Sequence, residues 1–283
     1  MSELNPASAT SRPGAGTDAT VFPPHAAQVP IEVLDEGAYR VRFARTHEEL
    51  DRLLRLRFEV FNLELEEGLE ESHLTGRDQD EFDVHCHHLI VELRKTGEVI
   101  GTYRIQAADT APERNGLYTA TEFDLTRLPA DVVRSGIEIG RACIHAEHRK
   151  QRVLFALWKG LALYMRHNRK RFLFGCCSLT SQDPGDGLIA MEWLRRGGHL
   201  HPDQPVAPLP GLRCIGPAPS DEHVAAIRIP ALFGTYLRFA STVAGPPAID
   251  RLFKTIDFFV VCDTWKLGDK TYAMFFGEPP PRP

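Results

Sequence analysis

The chain has 283 residues, is 43% hydrophobic and carries a formal net charge of −5. That is enough for the buried core of one elaborated domain, and the acidic balance argues against a nucleic-acid binder. With no run of 18 apolar residues and no signal-peptide core, the chain is expected to be soluble and cytoplasmic, which leaves room for peripheral contact with the inner membrane.

The first 38 residues are rich in Ala, Pro, Ser, Thr and Gly, from Asn5-Pro6 to Pro23-Pro24, with no apolar periodicity. Such a stretch buries too little apolar surface to offset its ordering entropy. It predicts a disordered leader over 1–38 and a single domain over 39–283. Tyr39 to Phe43 alternates as a half-buried strand does. Thr46 with Glu49 three residues on predicts a capped helix start, and Leu50, Leu53, Leu54, Phe58, Phe61 and Leu65 then share one helical face. Nine carboxylates follow between Glu64 and Asp83, opposed only by Arg77. Residues 88–94 and 98–106 read as strands of a hairpin turning at Thr96-Gly97. Residues 136–145 predict a strand, 152–167 a helix, and 171–178 a buried strand. Asp183-Pro184 caps and fills the first turn of a further helix that closes at Gly197-Gly198. The tail predicts a helix near 230–243, a break at Gly245-Pro246-Pro247 and a strand near 257–263. A hairpin among alternating strands and helices favours a mixed α/β sheet over a purely parallel one.

Four features do not fit a bland core. Arg57 falls within the apolar stripe of its helix; it either snorkels at the stripe's edge or pairs with a carboxylate in a cleft. Asp80-Glu81-Phe82-Asp83 is either a solvated loop or part of an anionic pocket for a cationic substrate, and further along the chain Arg104 likewise sets a charge in an apolar strand. Glu138 and Arg141 interrupt the strand over 137–144, and residues three apart point to opposite faces of a regular strand. They can share a site only if a bulge near Gly140 re-aims one of them; otherwise they form a structural ion-pair network. The fourth feature is basic. Between Arg149 and Arg171 lie eight Lys or Arg residues and no acid. Arg152, Lys159 and Arg166 recur every seven residues as one stripe, either a solvated helix face or a docking surface for an acidic partner.

Weaker signals carry less. In His85-Cys86-His87-His88 adjacent strand residues alternate faces, which disfavours a metal site. His73 to Asp78 fits a His-x4-Asp acyltransferase pattern, but no partner motif accompanies it. Six cysteines at 86, 143, 176, 177, 214 and 262 lack a Cys-x-x-Cys pair, which predicts reduced thiols.

Taken in order, Arg57-x-x-x-Phe61, Asp80-x-x-Asp83, Gly101-Thr102-Tyr103-Arg104, Glu122-Phe123-Asp124-Leu125 and Glu138-x-Gly140-Arg141 resemble the acyl-homoserine-lactone synthases of the GNAT superfamily. The chain is more similar still to the ornithine Nα-acyltransferases that make lyso-ornithine lipid. That likeness lies in Asp80 to Asp83 with Cys86-x-His88-Leu89, in Leu173-Phe174-Gly175-Cys176, and in Tyr236-Leu237-Arg238 with Gly245-Pro246-Pro247-Ala248. It spans roughly residues 39–263.

The resemblance implies a GNAT-like fold: a mixed, mostly antiparallel twisted sheet flanked by helices, here with a helical C-terminal extension from about 230. It implies transfer of a (3-hydroxy)fatty acyl group from acyl carrier protein to the α-amine of L-ornithine by direct attack. The phosphopantetheine thioester is then a co-substrate, with no other cofactor and no metal. Acetyl-CoA-using GNAT enzymes cradle pyrophosphate on a glycine-containing turn. Here that place reads Arg149-Lys150-Gln151-Arg152-Val153-Leu154 without glycine, which suits a single phosphate and a docked carrier better. On this reading Glu138 is the base and Arg141 acts beside it. Arg57, Phe61, Asp80, Asp83 and Arg104 bind the amino acid, the aspartates facing its side-chain ammonium and the arginines holding its carboxylate or buttressing the acids. Arg149, Lys150, Arg152, Lys159 and Arg166 dock the carrier. An N-acyl amino acid synthase for glycine or another acceptor, a homoserine-lactone synthase and a carrier-binding regulatory module would share these motifs.

Overall fold

The computed structural model describes residues 21–281. Eleven strands and eight α-helices follow one another in the order β1 (Leu34–Glu36), β2 (Tyr39–Phe43), α1 (His47–Arg57), α2 (Ser72–Thr75), β3 (His87–Leu93), β4 (Val99–Ala107), β5 (Phe123–Asp124), α3 (Ala130–Ser135), β6 (Gly136–Ile144), α4 (Gln151–His167), β7 (Phe172–Leu179), α5 (Pro184–Arg196), β8 (Ala207–Pro208), α6 (Asp221–Ala226), α7 (Ala231–Arg238), β9 (Ser241–Val243), β10 (Ala248–Asp250), β11 (Thr255–Asp263) and α8 (Asp269–Phe276). The main sheet runs β1-β2-β3-β4-β6-β7-β11-β10, with β9 sharing the outer edge of β11. Every neighbouring pair of named strands in it is antiparallel except β6 and β7.

Local chemistry sets the main elements. Thr46 caps α1 by accepting from the Glu49 amide at 3.2 Å, and Glu49 reaches back to the Arg45 amide at 2.7 Å, one residue before the usual capping-box donor. The expected helix continues beyond Arg57 as wider π-helical turns over Phe58–Glu64, a form often found where a helix is reshaped for function. Asp183 accepts from the Gly185 amide at 2.8 Å and Pro184 fills the first turn of α5. Helix α4 buries Val153, Leu157, Leu161, Tyr164 and Met165 against Val41, Leu89, Ile105 and Ile137 of the sheet. Helices α5 and α7 cover β7 and β11 on the same side. Leu56, Val60 and Phe61 lie on the opposite side, against Cys143.

One expectation fails: residues 21–36 are not a loose leader, and residues 1–20 lie outside the described residues. The carbonyls of Pro24, Ala27 and Gln28 accept from His87, His167 and Asn168 at 2.6–2.8 Å, and those of Val29 and Pro30 accept from Arg45. Side chains of the body thus hold this segment by its backbone, which leaves no apolar period to read. The tail carries the expected helix and the expected strand near 257–263. The helix ends at Arg238, and residues 241–263 supply three strands, with β11 paired to β7 over eight residues. None of the described helices is long and apolar enough to cross a membrane.

Candidate active site

The sheet opens at its centre. Strands β6 and β7 pair in parallel only from Gly136↔Phe172 to Glu138↔Phe174, and beyond that they diverge. Gly175 stands at the opening, where a Cβ would collide with the Ile139 carbonyl oxygen. On the other edge of β6 the register steps from Thr102↔Cys143 to Arg104↔Gly140, so β6 uses three residues where β4 uses two. This is the anticipated bulge. Arg141 takes a φ of 44° within it, a conformation uncommon for a non-glycine residue. Ile137 and Ile139 before the bulge and Ala142 and Ile144 after it therefore face one core. Glu138 and Arg141 share the other face.

A cavity of about 320 Å³ passes through this opening. On the α4 side it is lined by apolar groups, among them Tyr103, Ile139, Leu173, Phe233, Tyr236 and Val260; on the other side it is polar, with Arg104, Gln106, Tyr118, Glu138, Ser178 and Asp257.

Three arginines and three aspartates interlock at the polar side. Arg57 is buried and donates from Nε to Asp78 Oδ1 at 2.8 Å and from Nη1 to Asp83 Oδ1 at 2.5 Å. Arg104 Nη1 reaches both Asp80 oxygens at 2.6 Å and Asp83 Oδ1 at 3.3 Å. Arg141 forks onto Asp78, its guanidinium 3.9 Å from the Phe61 ring centre and 4.4 Å from that of Phe253. Burial pushes the Asp83 carboxyl up, but the Arg57 and Arg104 charges outweigh it and hold it well below the ordinary range. Asp78 is lowered in the same way, burial being outweighed by Arg141 and Arg57.

The structure thus chooses among the readings left open. Arg57 pairs with carboxylates and does not line the cavity, and the arginines buttress the aspartates. Asp80 and Asp83 are not a vacant ammonium receptor, because Arg104 and Arg57 already neutralise them. Phe61 lines the cavity as a platform for Arg141. His87 and His88 point apart, His87 to Tyr164 of α4 at 2.8 Å and His88 to the Asp83 carbonyl at 2.8 Å.

Glu138 is buried at the cavity wall. It accepts from the Tyr118 amide at 2.9 Å, the Thr119 amide at 2.8 Å and the Thr119 hydroxyl at 2.6 Å. Burial pushes its pKa above the ordinary value, against the pull of those hydrogen bonds. A carboxylate so placed can take a proton at milder pH than an exposed one.

Residues 56–159 match the domain family described as Acetyltransferase (GNAT) domain. The chain is 31% identical over 242 residues to the L-ornithine N(alpha)-acyltransferase of Rhodobacter capsulatus, covering 82% of this chain and 93% of that protein. It is 28% identical over 254 residues to the L-ornithine N(alpha)-acyltransferase of Brucella abortus, covering 85% and 89%. The chain belongs to this acyltransferase family. Among solved structures, that of a CoA-dependent acyl-homoserine lactone synthase, BjaI, aligns with a TM-score of 0.48 at 14% identity over 82% of this chain and 84% of that one. The enzyme has the GNAT fold, a mostly antiparallel sheet flanked by helices.

Several residues of the candidate site were not assigned to it by the sequence reading. Asp78 bridges Arg57 and Arg141, and it sits in the His73–Asp78 pattern set aside above. A count of charge could have found it, since three arginines set in apolar elements require more than Asp80 and Asp83. Gln106, Tyr118 and Thr119 line the cavity, as does Asp257, and Glu122 lies beside Asp257.

The basic stripe is mostly committed within the enzyme. Lys159 pairs with Glu36 at 2.7 Å, Arg166 lies 3.5 Å from Glu32, and Arg149 forks onto Glu64. The N-terminal segment thus neutralises two members of the predicted docking surface. Lys150 and Arg152 stay exposed at the start of α4, which has no side-chain cap and no acid in its first turn.

Proposed function

We propose that the enzyme transfers a (3-hydroxy)fatty acyl group from acyl carrier protein to the α-amine of L-ornithine, forming lyso-ornithine lipid. The observation that carries this reading is the cavity through the sheet. A polar, acid-lined half suited to an amino acid meets an apolar half suited to an acyl chain, and they join at the β6 bulge. The names of the two relatives support ornithine as acceptor.

The acceptor's α-amine is protonated at neutral pH, since even a peptide's α-amine titrates at about 7.7–8.0, so one proton must leave before it is nucleophilic. Glu138, directly or through a water, takes that proton, and the amine attacks the thioester carbonyl. Backbone N–H groups of β6 that face the opening, where β7 no longer pairs with them, stabilise the oxyanion; one such donor is typically worth about 2.7–4 kcal/mol. Collapse breaks the C–S bond and forms the amide, the nitrogen's second proton passing to the departing pantetheine thiolate. No covalent enzyme intermediate is required. Cys176 and Cys177 line the cavity, but burial pushes both thiols up, away from the thiolate that acyl capture would need. Lys150 and Arg152 at the start of α4 suit the carrier's phosphate and acidic surface.

The test is to incubate the protein with 3-hydroxyacyl carrier protein and a mixture of amino acids, and to identify the product by mass. N-acylornithine is expected as the dominant product. Acylglycine in its place, or turnover only with acyl-CoA, would overturn the reading.

A further inference from the structure

Beside Cys176 on the polar side of the cavity, a carboxylate oxygen of Glu122 and one of Asp257 lie within 4.8 Å of each other and of the Cys176 sulfur. Both side chains are buried, 3% exposed each. The two carboxyls lie close enough to share a proton, and Ser178, Thr255 and Tyr118 stand beside them, yet Glu122 Oε1 and Asp257 Oδ1 accept from no donor and no arginine or lysine among the described residues pairs with either acid. A third carboxylate, Asp250, accepts from the Tyr118 hydroxyl at 2.7 Å and adds its charge nearby. Buried carboxylates without a cation are costly. The contrast with Asp78, Asp80 and Asp83 is direct, since each of those has an arginine.

The surroundings point to a particular occupant. Gln106 is 1% exposed, lines the same cavity and leaves its Nε2 without a partner. It stands opposite Glu138 in the β4–β6 register. Tyr118 spans the interval to the acids, its amide on Glu138 and its hydroxyl on Asp250. An amino acid with its α-amine at Glu138 therefore meets a free amide donor suited to its carboxylate at Gln106. Its side chain extends along Tyr118 toward the unpaired carboxylates.

We infer that Glu122 and Asp257 form the seat for the side-chain ammonium of a diamino acid acceptor and set the enzyme's preference for it. The inference rests on the acceptor reading above and names the residues that enforce it. An ammonium supplies three donors where each acid has an oxygen without one, and its charge lets both acids ionise, whereas an α-amino acid without a second amine leaves them sharing a proton.

The experiment measures kcat and KM for L-ornithine and for L-norvaline, which lacks the terminal amine, with one 3-hydroxyacyl carrier protein as donor. Wild-type enzyme, Asp257→Asn and Glu122→Gln are compared, each checked for folding by circular dichroism. Wild type is expected to favour ornithine by about 100-fold in kcat/KM, the range for a desolvated charge pair. Either variant should bring that ratio to within a few-fold of unity, chiefly through KM for ornithine. If the wild type prefers ornithine and both folded variants keep the preference, the seat is wrong while the acceptor reading stands. If the wild type acylates norvaline or glycine but not ornithine, the acceptor reading falls and the seat with it. A stoichiometric metal ion that is lost in Asp257→Asn would also overturn the inference, because the acids would then be its ligands.

Discussion

Asp257→Asn should make the protein more stable near neutral pH while impairing ornithine use. Burial, with the nearby Asp250 charge adding to it, pushes the Asp257 carboxyl from its ordinary 3.8 up to about 6. Ionising this group in the folded rather than the unfolded chain therefore costs on the order of a few kcal/mol. The sign is fixed by which state holds the proton longer. Asp257's folded pKa lies above its unfolded value, so the folded chain binds more protons between the two. Stability then falls as pH rises from about 4 to about 6 and stays lower above that. Asparagine removes the ionisation, keeps the size and can donate to Glu122, though its amide must find its own partners. Part of the cost is therefore recovered, on the order of 1–2 kcal/mol near pH 8 and close to nothing near pH 4. For a chain of this length each kcal/mol moves Tm by about 2–4 °C. Calorimetry or urea unfolding of both proteins at the two pH values measures the difference. A variant equally destabilised at both would refute the reasoning, for Asp257 would then be a satisfied structural acid and not one awaiting a cation.

Three other outcomes are expected. Glu138→Gln should lower kcat by about 10²–10⁴, and the acidic limb of the wild-type rate profile, lying above the ordinary carboxylate pKa because the base form needs the proton gone, should vanish with it. If the limb persists in Glu138→Gln, Glu138 only positions Tyr118 and Thr119. Arg57→Leu should cost about 3–5 kcal/mol in urea unfolding, since Asp78 and Asp83 stay buried while losing a partner. Lys150→Glu with Arg152→Glu should raise KM for the carrier-bound donor about 10-fold or more at low salt, an effect that shrinks as salt is added. The change should be larger with carrier protein than with an acyl N-acetylcysteamine thioester, and equal changes with both donors would exclude docking there.

How much of this was legible follows from what each signal depends on. Strands β2, β3, β4, β6 and β7 and helices α1, α4 and α5 stood in the sequence because alternation, apolar stripes and caps are local. The short strands β9 and β10 owe their form to pairing with β11, and residues 21–36 to side chains from distant elements, so neither leaves a local period. Arg57, Arg104 and Arg141 were legible as charges in apolar elements. Their partners were not, because sequence records how many charges a segment holds and not which of them meet. The acid-rich stretch over 64–83 looked like the cationic-substrate pocket, yet its buried members are the neutralised ones. Asp257, inside the apolar run of Thr255–Asp263, carries no such flag, since an acid in an apolar strand reads the same whether paired, edge-exposed or vacant.

The two sets of acids divide one problem between them. A site for a cationic amino acid must place negative charge beside the reacting amine without that charge collapsing onto the protein's own cations. Here Arg57, Arg104 and Arg141 are locked to Asp78, Asp80 and Asp83, with Arg141 further held between Phe61 and Phe253. Such forked, stacked guanidiniums are poorly replaced by lysine, whose single mobile ammonium could swing toward Glu122 and Asp257. Saturating the arginines is therefore what leaves the second set of acids unpaired. The bulge joins the two sets: by turning Arg141 onto the same face as Glu138 it brings the locked cluster up to the cavity wall, and the vacant acids lie beyond Tyr118. A change that frees one arginine, such as Asp78→Asn releasing part of Arg141, should on this logic weaken ornithine binding from a distance by supplying the acids with a competing cation.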